Sequence, residues 1–205
     1  PSVGSVERGD AVALGIAAEV AHLLGREDEL AELVAARFVR DEARIVGGSF
    51  AAQVVVQACV LARPALARPC VERIAELDAS GHFREGATPD GAPFLRGALL
   101  WVRGDAAGAA AAFRSLGGRV GFGQRALVAR ALEAVGDLDA ASTLDDPATT
   151  RGLFGGVSPS DARAAIRAHR RGDPRAREMA RRVLDAWAGA DARLAPTAEL
   201  EAIAR

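Results

Sequence analysis

Four Gly-Asp pairs punctuate this chain, ending at Asp10, Asp105, Asp137 and Asp173, and in three of them arginine comes first: ERGDAV, VRGDAA and RRGDPR. Random placement of Arg, Gly and Asp at their abundance here gives roughly 0.2 copies of that tripeptide. Each copy is therefore either a recognition element, as in extracellular adhesion ligands, or a structural joint. The flanking sequence decides. Apolar residues recur at helical period on both sides of the later pairs, giving expected helices over 93–103 and 105–116, 122–135 and 138–145, and 160–171 and 174–188. Glycine permits the left-handed residue that follows a helix, and aspartate accepts the free amides that open the next. Pro174 stands where a first-turn proline belongs. At Asp137 valine replaces arginine while Gly-Asp remains, so the cap pair is the constrained part and Arg8, Arg103 and Arg171 read as incidental or surface charges.

The same periodicity extends upstream. Helices are expected over 11–24 and 29–45, with Gly25 ending the first and Asp28 capping the second, and over 49–63 and 69–80, with breaks at Pro64 and at Arg68-Pro69. SGHFREGATPDGAP, within 80–93, is a loop that divides residues 1–80 from 93–205, and 195–205 is expected as a terminal capping helix.

Composition agrees with an all-α chain. Half the residues are hydrophobic, aromatics make up 4%, tyrosine is absent, and alanine is abundant. All basic side chains are arginine and asparagine is missing, the usage expected of a GC-rich bacterial genome. A formal net charge of −1 gives no general support for binding nucleic acid or an anionic membrane. No apolar run reaches a membrane span, and PSVGSVERGD lacks the pattern of a signal peptide, so a cytoplasmic location is expected. The opening also has no cap or core segment, as expected of a piece cut from a longer protein. Cys59 and Cys70 lack C-x-x-C spacing and read as small buried thiols.

The joints recur 32 residues apart from Asp105 to Asp137 and 36 apart from Asp137 to Asp173. With that period and two helices per unit, the chain resembles the tetratricopeptide-repeat family. Its pattern places a small residue eight before the joint aspartate, a large apolar one five before, alanine four after and a large apolar one eight after. Gly97, Leu100, Ala109 and Phe113 fill all four slots around Asp105. Around Asp137 the residues are Ala129, Leu132, Ala141 and Asp145, so the last slot fails, and Pro147 is expected to truncate that helix. Around Asp173 they are Ala165, Ala168, Arg177 and Arg181, while an apolar stripe from Ala176 to Trp187 runs one residue out of register. The closing LDAWAGADARLAPTAELEAIAR looks like the end of repeat regions in bacterial multidomain regulators and Ser/Thr kinases.

Candidate chemistry is sparse. In GGRVGFGQR, residues 117–125, Gly118 and Gly123 have phosphate-loop separation, but Gln124 and Arg125 replace the lysine and hydroxyl residue, leaving a turn between repeats. LGREDELAEL, residues 24–33, reads as a hairpin turn with an acidic helix start rather than an ATPase opening. His22, His82 and His169 form no metal or acid-base pattern, with His22 expected at a helix interface. No catalytic, cofactor or metal residue is assigned. Arg163, Arg167 and Arg171 fall at helical spacing and make either a solvated face or a stripe for an acidic or phosphate-bearing partner. Leu153 and Phe154, in the loop 145–160, either plug the groove between hairpins or dock a partner.

The resemblance implies an α-solenoid of about five antiparallel helical hairpins with a C-terminal cap, presenting a groove to a protein or peptide. The alternatives are an intramolecular regulatory role beside a kinase or transcriptional-regulator domain, and, remotely, a helical enzyme.

Overall fold

The computed structural model describes residues 13, 15–18, 20–26, 28–29, 56–61, 64–80, 91–117, 120–121, 124–149, 156–190 and 194–205. Among these, every regular element is helical. Eight helices follow in chain order: α1 Pro64–Ala79, α2 Gly91–Val102, α3 Ala106–Arg114, α4 Arg125–Ala134, α5 Leu138–Leu144, α6 Pro159–Arg170, α7 Ala176–Trp187 and α8 Thr197–Ala204. A short 3-10 turn, Pro147–Thr149, lies between α5 and α6. Shorter helical stretches occupy 15–18, 20–23 and 56–61. The expected helix 29–45 and the loop 81–90 lie outside the described residues.

The three described Gly-Asp pairs are joints, and the pair at Asp10 lies outside the described residues. At each of the three later pairs the glycine has positive φ, 87° at Gly104, 77° at Gly136 and 69° at Gly172. The glycine N–H donates to the carbonyl three residues back, and the aspartate N–H donates to the carbonyl five back: Asp105 to Leu100, Asp137 to Leu132 and Asp173 to Ala168, each at 2.9 Å. This is the Schellman closure, which satisfies carbonyls left over at a helix end. Gly25 and Arg26 make the same pair of bonds to His22 and Ala21 without an aspartate, so closure belongs to the glycine and the aspartate serves the next helix.

That second job differs between joints. Asp105 and Asp137 cap α3 and α5, accepting from Gly108 N–H at 2.8 Å and Ala140 N–H at 3.2 Å. Asp173 instead accepts from Arg175 N–H, two residues on, at 2.9 Å, and α7 begins only at Ala176. The extra tight turn at Pro174-Arg175 explains the register. Ala176, Ala180 and Val183 are the buried residues of α7, while Arg177 and Arg181 face outward. Replacing Asp105 with alanine is expected to cost about 1 kcal/mol of stability in chemical denaturation, the worth of a lost N-cap.

Of the tripeptide arginines, Arg103 and Arg171 are surface charges with partners. Arg103 reaches back to Glu72 of α1 at 3.3 Å, and Arg171 to Asp139 of α5 at 2.8 Å, each an ion pair to an earlier helix. Both are surface pairs and add little energy individually.

Two further expectations need correction. Cys59 and Cys70 are not free thiols: they form a disulfide with Cα atoms 6.3 Å apart, linking the stretch 56–61 to α1. Only two residues separate these helical stretches, so the second folds back close enough to bring the cysteines together. Nor does Arg68-Pro69 break the helix: α1 starts at Pro64, where a proline fits, and runs through Pro69. The backbone bond forgone at Pro69 is offset by its neighbours, since Cys70, Val71 and Ile74 are all buried.

Each described helix packs on its neighbour in sequence along α1 to α5 and again along α6 to α8, and α8 also lies on α6. Within 195–205, Leu200 and Ile203 of α8 are buried against this group. Two contacts depart from a strictly linear array. His22 Nε2 lies 3.4 Å from Arg130 of α4, and Ala195 N–H donates to the Leu23 carbonyl at 2.6 Å. The stretch 20–23 therefore touches α4 and the segment ahead of α8, and His22 does sit at a helix interface.

Candidate functional site

Two places on the described surface bear on function: a groove between α2 and α3, and the seam where α6 meets α4 and α5.

The groove encloses about 610 Å³ and is lined by Ala92, Pro93, Arg96 and Leu100 of α2 and by Asp105, Gly108, Ala111, Ala112 and Ser115 along α3. Both rows follow helical spacing, so each helix contributes one face. The other side of these two helices is closely packed. A Cβ at Gly97 would overlap the Phe113 ring, and Phe113 packs on Phe94 with ring centroids 5.7 Å apart. The small-before, large-after slots of the repeat pattern thus meet in one contact that draws α2 and α3 together. Small residues then leave the outer side open. Arg96 is the groove's sole guanidinium, and it makes no ion pair with a described residue.

The seam is where the repeat pattern fails. Asp145, in a slot that asks for a large apolar residue, is fully buried at the end of α5. Its carboxylate accepts four hydrogen bonds: from Ser160 Oγ at 2.6 Å, from Arg163 Nε and Nη2 at 2.8 and 3.0 Å, and from Arg167 Nη1 at 3.0 Å. Burial pushes the Asp145 carboxyl upward, but the charges of Arg163 and Arg167 and the Ser160 bond outweigh it, holding the group below its ordinary value. Arg167 is itself fully buried and also donates to Glu133 of α4 at 3.0 Å and to the Asp145 carbonyl at 3.2 Å. Arg170 extends the network to Glu133 at 3.3 Å and to Glu199 of α8 at 3.5 Å. Arg171 adds Asp139, Ser142 Oγ and the Leu138 carbonyl. At the start of α6, Asp161 accepts from the Ser158 N–H and hydroxyl, both at 2.8 Å, in a capping box.

The three arginines expected to form an outward stripe are thus brought together, but toward α5. Arg163 is one-fifth exposed, Arg167 not at all and Arg171 about one-third. In this closed arrangement Arg167 has no face to offer a partner, because a buried guanidinium needs the carboxylates it already holds. Phe154 and Leu153 lie outside the described residues. Sequence reasoning missed Asp145 as the anchor, although its misplacement in an apolar slot was the signal. It also missed Arg125, which is buried and donates to the Val120 and Asp146 carbonyls at 3.3 and 3.1 Å. Gln124 closes the turn ahead of α4 by accepting from Gly121 N–H at 2.8 Å, a structural use of the position where a phosphate loop would carry lysine.

Among the described residues no group of three or more His, Cys, Asp or Glu side chains could hold a metal ion, and no helix is long and apolar enough to cross a membrane. No family model, curated protein or solved structure matches the chain.

Proposed function

We propose that this chain is a protein-interaction module of tetratricopeptide-like helical hairpins, and that the α2/α3 groove receives a peptide segment of a partner protein. The groove itself carries the reading: two helix faces of small and apolar side chains stay open beside a tightly packed core, with one unpaired guanidinium among them. Such a surface suits an extended or helical segment better than chemistry, since no nucleophile and base converge on it. The Schellman and capping joints supply a rigid frame for those faces.

The test is capture of a partner by the intact chain, followed by its binding to two groove variants, Ala111→Trp to fill the space and Arg96→Glu to reverse its charge. Ala111 and Arg96 are exposed, so fold and melting behaviour should be kept. Each variant is expected to weaken binding at least about tenfold. Undiminished binding by both would place the partner elsewhere and remove the groove from the account.

A further inference from the structure

Among the described residues the buried apolar side chains fall into two clusters. One runs from Ala18 to Leu144, and the other, built by α6, α7 and α8, runs from Ala162 to Ile203. Between them lies the seam, whose hydrogen bonds and ion pairs run from α6 arginines to carboxylates, carbonyls and a hydroxyl of α4 and α5. A polar junction between separately cored bodies is where relative motion is expected.

The energetics point the same way. Closing the seam removes Asp145, Arg167 and most of Arg163 from water, and Arg167 Nε is buried with no acceptor among the described residues. The desolvation cost is incompletely returned, so an ionic seam of this kind holds two bodies less firmly than an apolar contact of the same size. An apolar pair would have welded α5 to α6, as Phe113 welds α3 to α2.

We propose that the seam is an autoinhibitory latch: α6–α8 swing away from α4 and α5 as one body, and the swing uncovers Arg163, Arg167, Arg170 and Arg171 as a basic face for an acidic polypeptide. In the closed state Asp145, Glu133 and Asp139 occupy those guanidiniums as an internal substitute for that ligand. Arg163, Arg167 and Arg171 attract a polyanion strongly only once the internal carboxylates have let go, while Arg170 keeps its pair with Glu199, which moves with it. This surface is separate from the α2/α3 groove, so filling that groove leaves the latch unaffected.

The experiment uses the full chain with its disulfide intact and spin labels at the exposed positions Ala107 of α3 and Ala186 of α7. Distances are measured in the parent and in Asp145→Asn/Glu133→Gln, alongside helicity and the binding of a fluorescent decaglutamate peptide. The parent should show one narrow distance and weak binding. The variant should show a broad, longer distribution at unchanged helicity and at least tenfold tighter binding, which further Arg163→Gln/Arg167→Gln substitution abolishes while the distances stay broad. A variant that keeps the parent's distance, that opens without binding, or that loses helicity overall would overturn the proposal. The milder Glu133→Gln alone, whose side chain is partly exposed, should shift both readouts in the same direction, and no shift would count against the latch.

Discussion

Asp145→Ala is expected to destabilise the protein by about 3–5 kcal/mol, the cost of leaving a buried charge without its partner. The loss falls on Arg167, which has no exposure through which water could replace the carboxylate. Glu133 can still pair with Arg167 Nη1, but Nη2 depends on the Asp145 backbone carbonyl, and Nε has no acceptor among the described residues. The measurement is chemical denaturation of parent and variant at neutral pH. A pH series sharpens it. The folded Asp145 carboxyl lies below its ordinary value, whereas in the unfolded chain it titrates near ~3.9. Its contribution is therefore complete above that pH and is lost as pH falls through the lower, folded pKa. Glu72 and Asp137 are also lowered, chiefly by hydrogen bonds from Arg68 and Arg114, and Asp173 is brought to about 2 chiefly by its bond from Arg175. All three add to the same acid slope, so the informative quantity is the difference between parent and Asp145→Asn, which should shrink as the solution is acidified.

Phe113→Ala is expected to cost about 3–5 kcal/mol, as large-to-small changes of buried aromatics do. Phe113 is fully buried, packs on Phe94, and fills the space that Gly97 leaves above α2. Neither glycine nor the Phe94 ring can move to close the void, because Gly97 is fixed in the helix backbone and Phe94 is itself enclosed. The complementary change is also informative: Gly97→Leu should destabilise by forcing α2 and α3 apart, and Gly97→Leu/Phe113→Ala should recover part of the loss by trading one volume for the other. Thermal and chemical denaturation of the three variants measures this directly.

The joints were legible in the sequence because caps are short-range chemistry. Glycine must take positive φ, aspartate must reach an amide two or three residues on, and both demands are written within a few positions. The helices flanking Asp105 and Asp137 accordingly lie close to where the periodicity puts them, and the one-residue slip after Asp173 was visible in the apolar stripe before its cause, the Pro174-Arg175 turn, was known. Pro69 misled because a local rule met a non-local compensation: the helix continues where Val71 and Ile74 are buried. The Cys59–Cys70 link depends on how two helices fold back on each other, which their spacing of 11 residues does not state. The seam was the least legible part. Asp145 and Arg167 are 22 residues apart, and at helical spacing an arginine stripe looks the same whether it faces solvent or a buried carboxylate. What the sequence did carry was a charged residue in the slot that Phe113 fills after Asp105, and the structure shows that the counter-charge comes from the next helix. The groove residues are mostly alanine, which marks a helix but not which of its faces will be covered.

A double-mutant cycle on Asp145 and Arg167 tests most directly whether the slot eight residues after Asp137 is filled by an ion pair in place of an apolar side chain. Stability is measured for the parent, Asp145→Leu, Arg167→Leu and the double variant. Each single change should be strongly destabilising, while the double variant returns close to the parent or above it, giving a coupling of about 2–3 kcal/mol. Single-variant losses that simply add in the double variant would show that Asp145 and Arg167 do not act as a pair in the slot, contradicting the account.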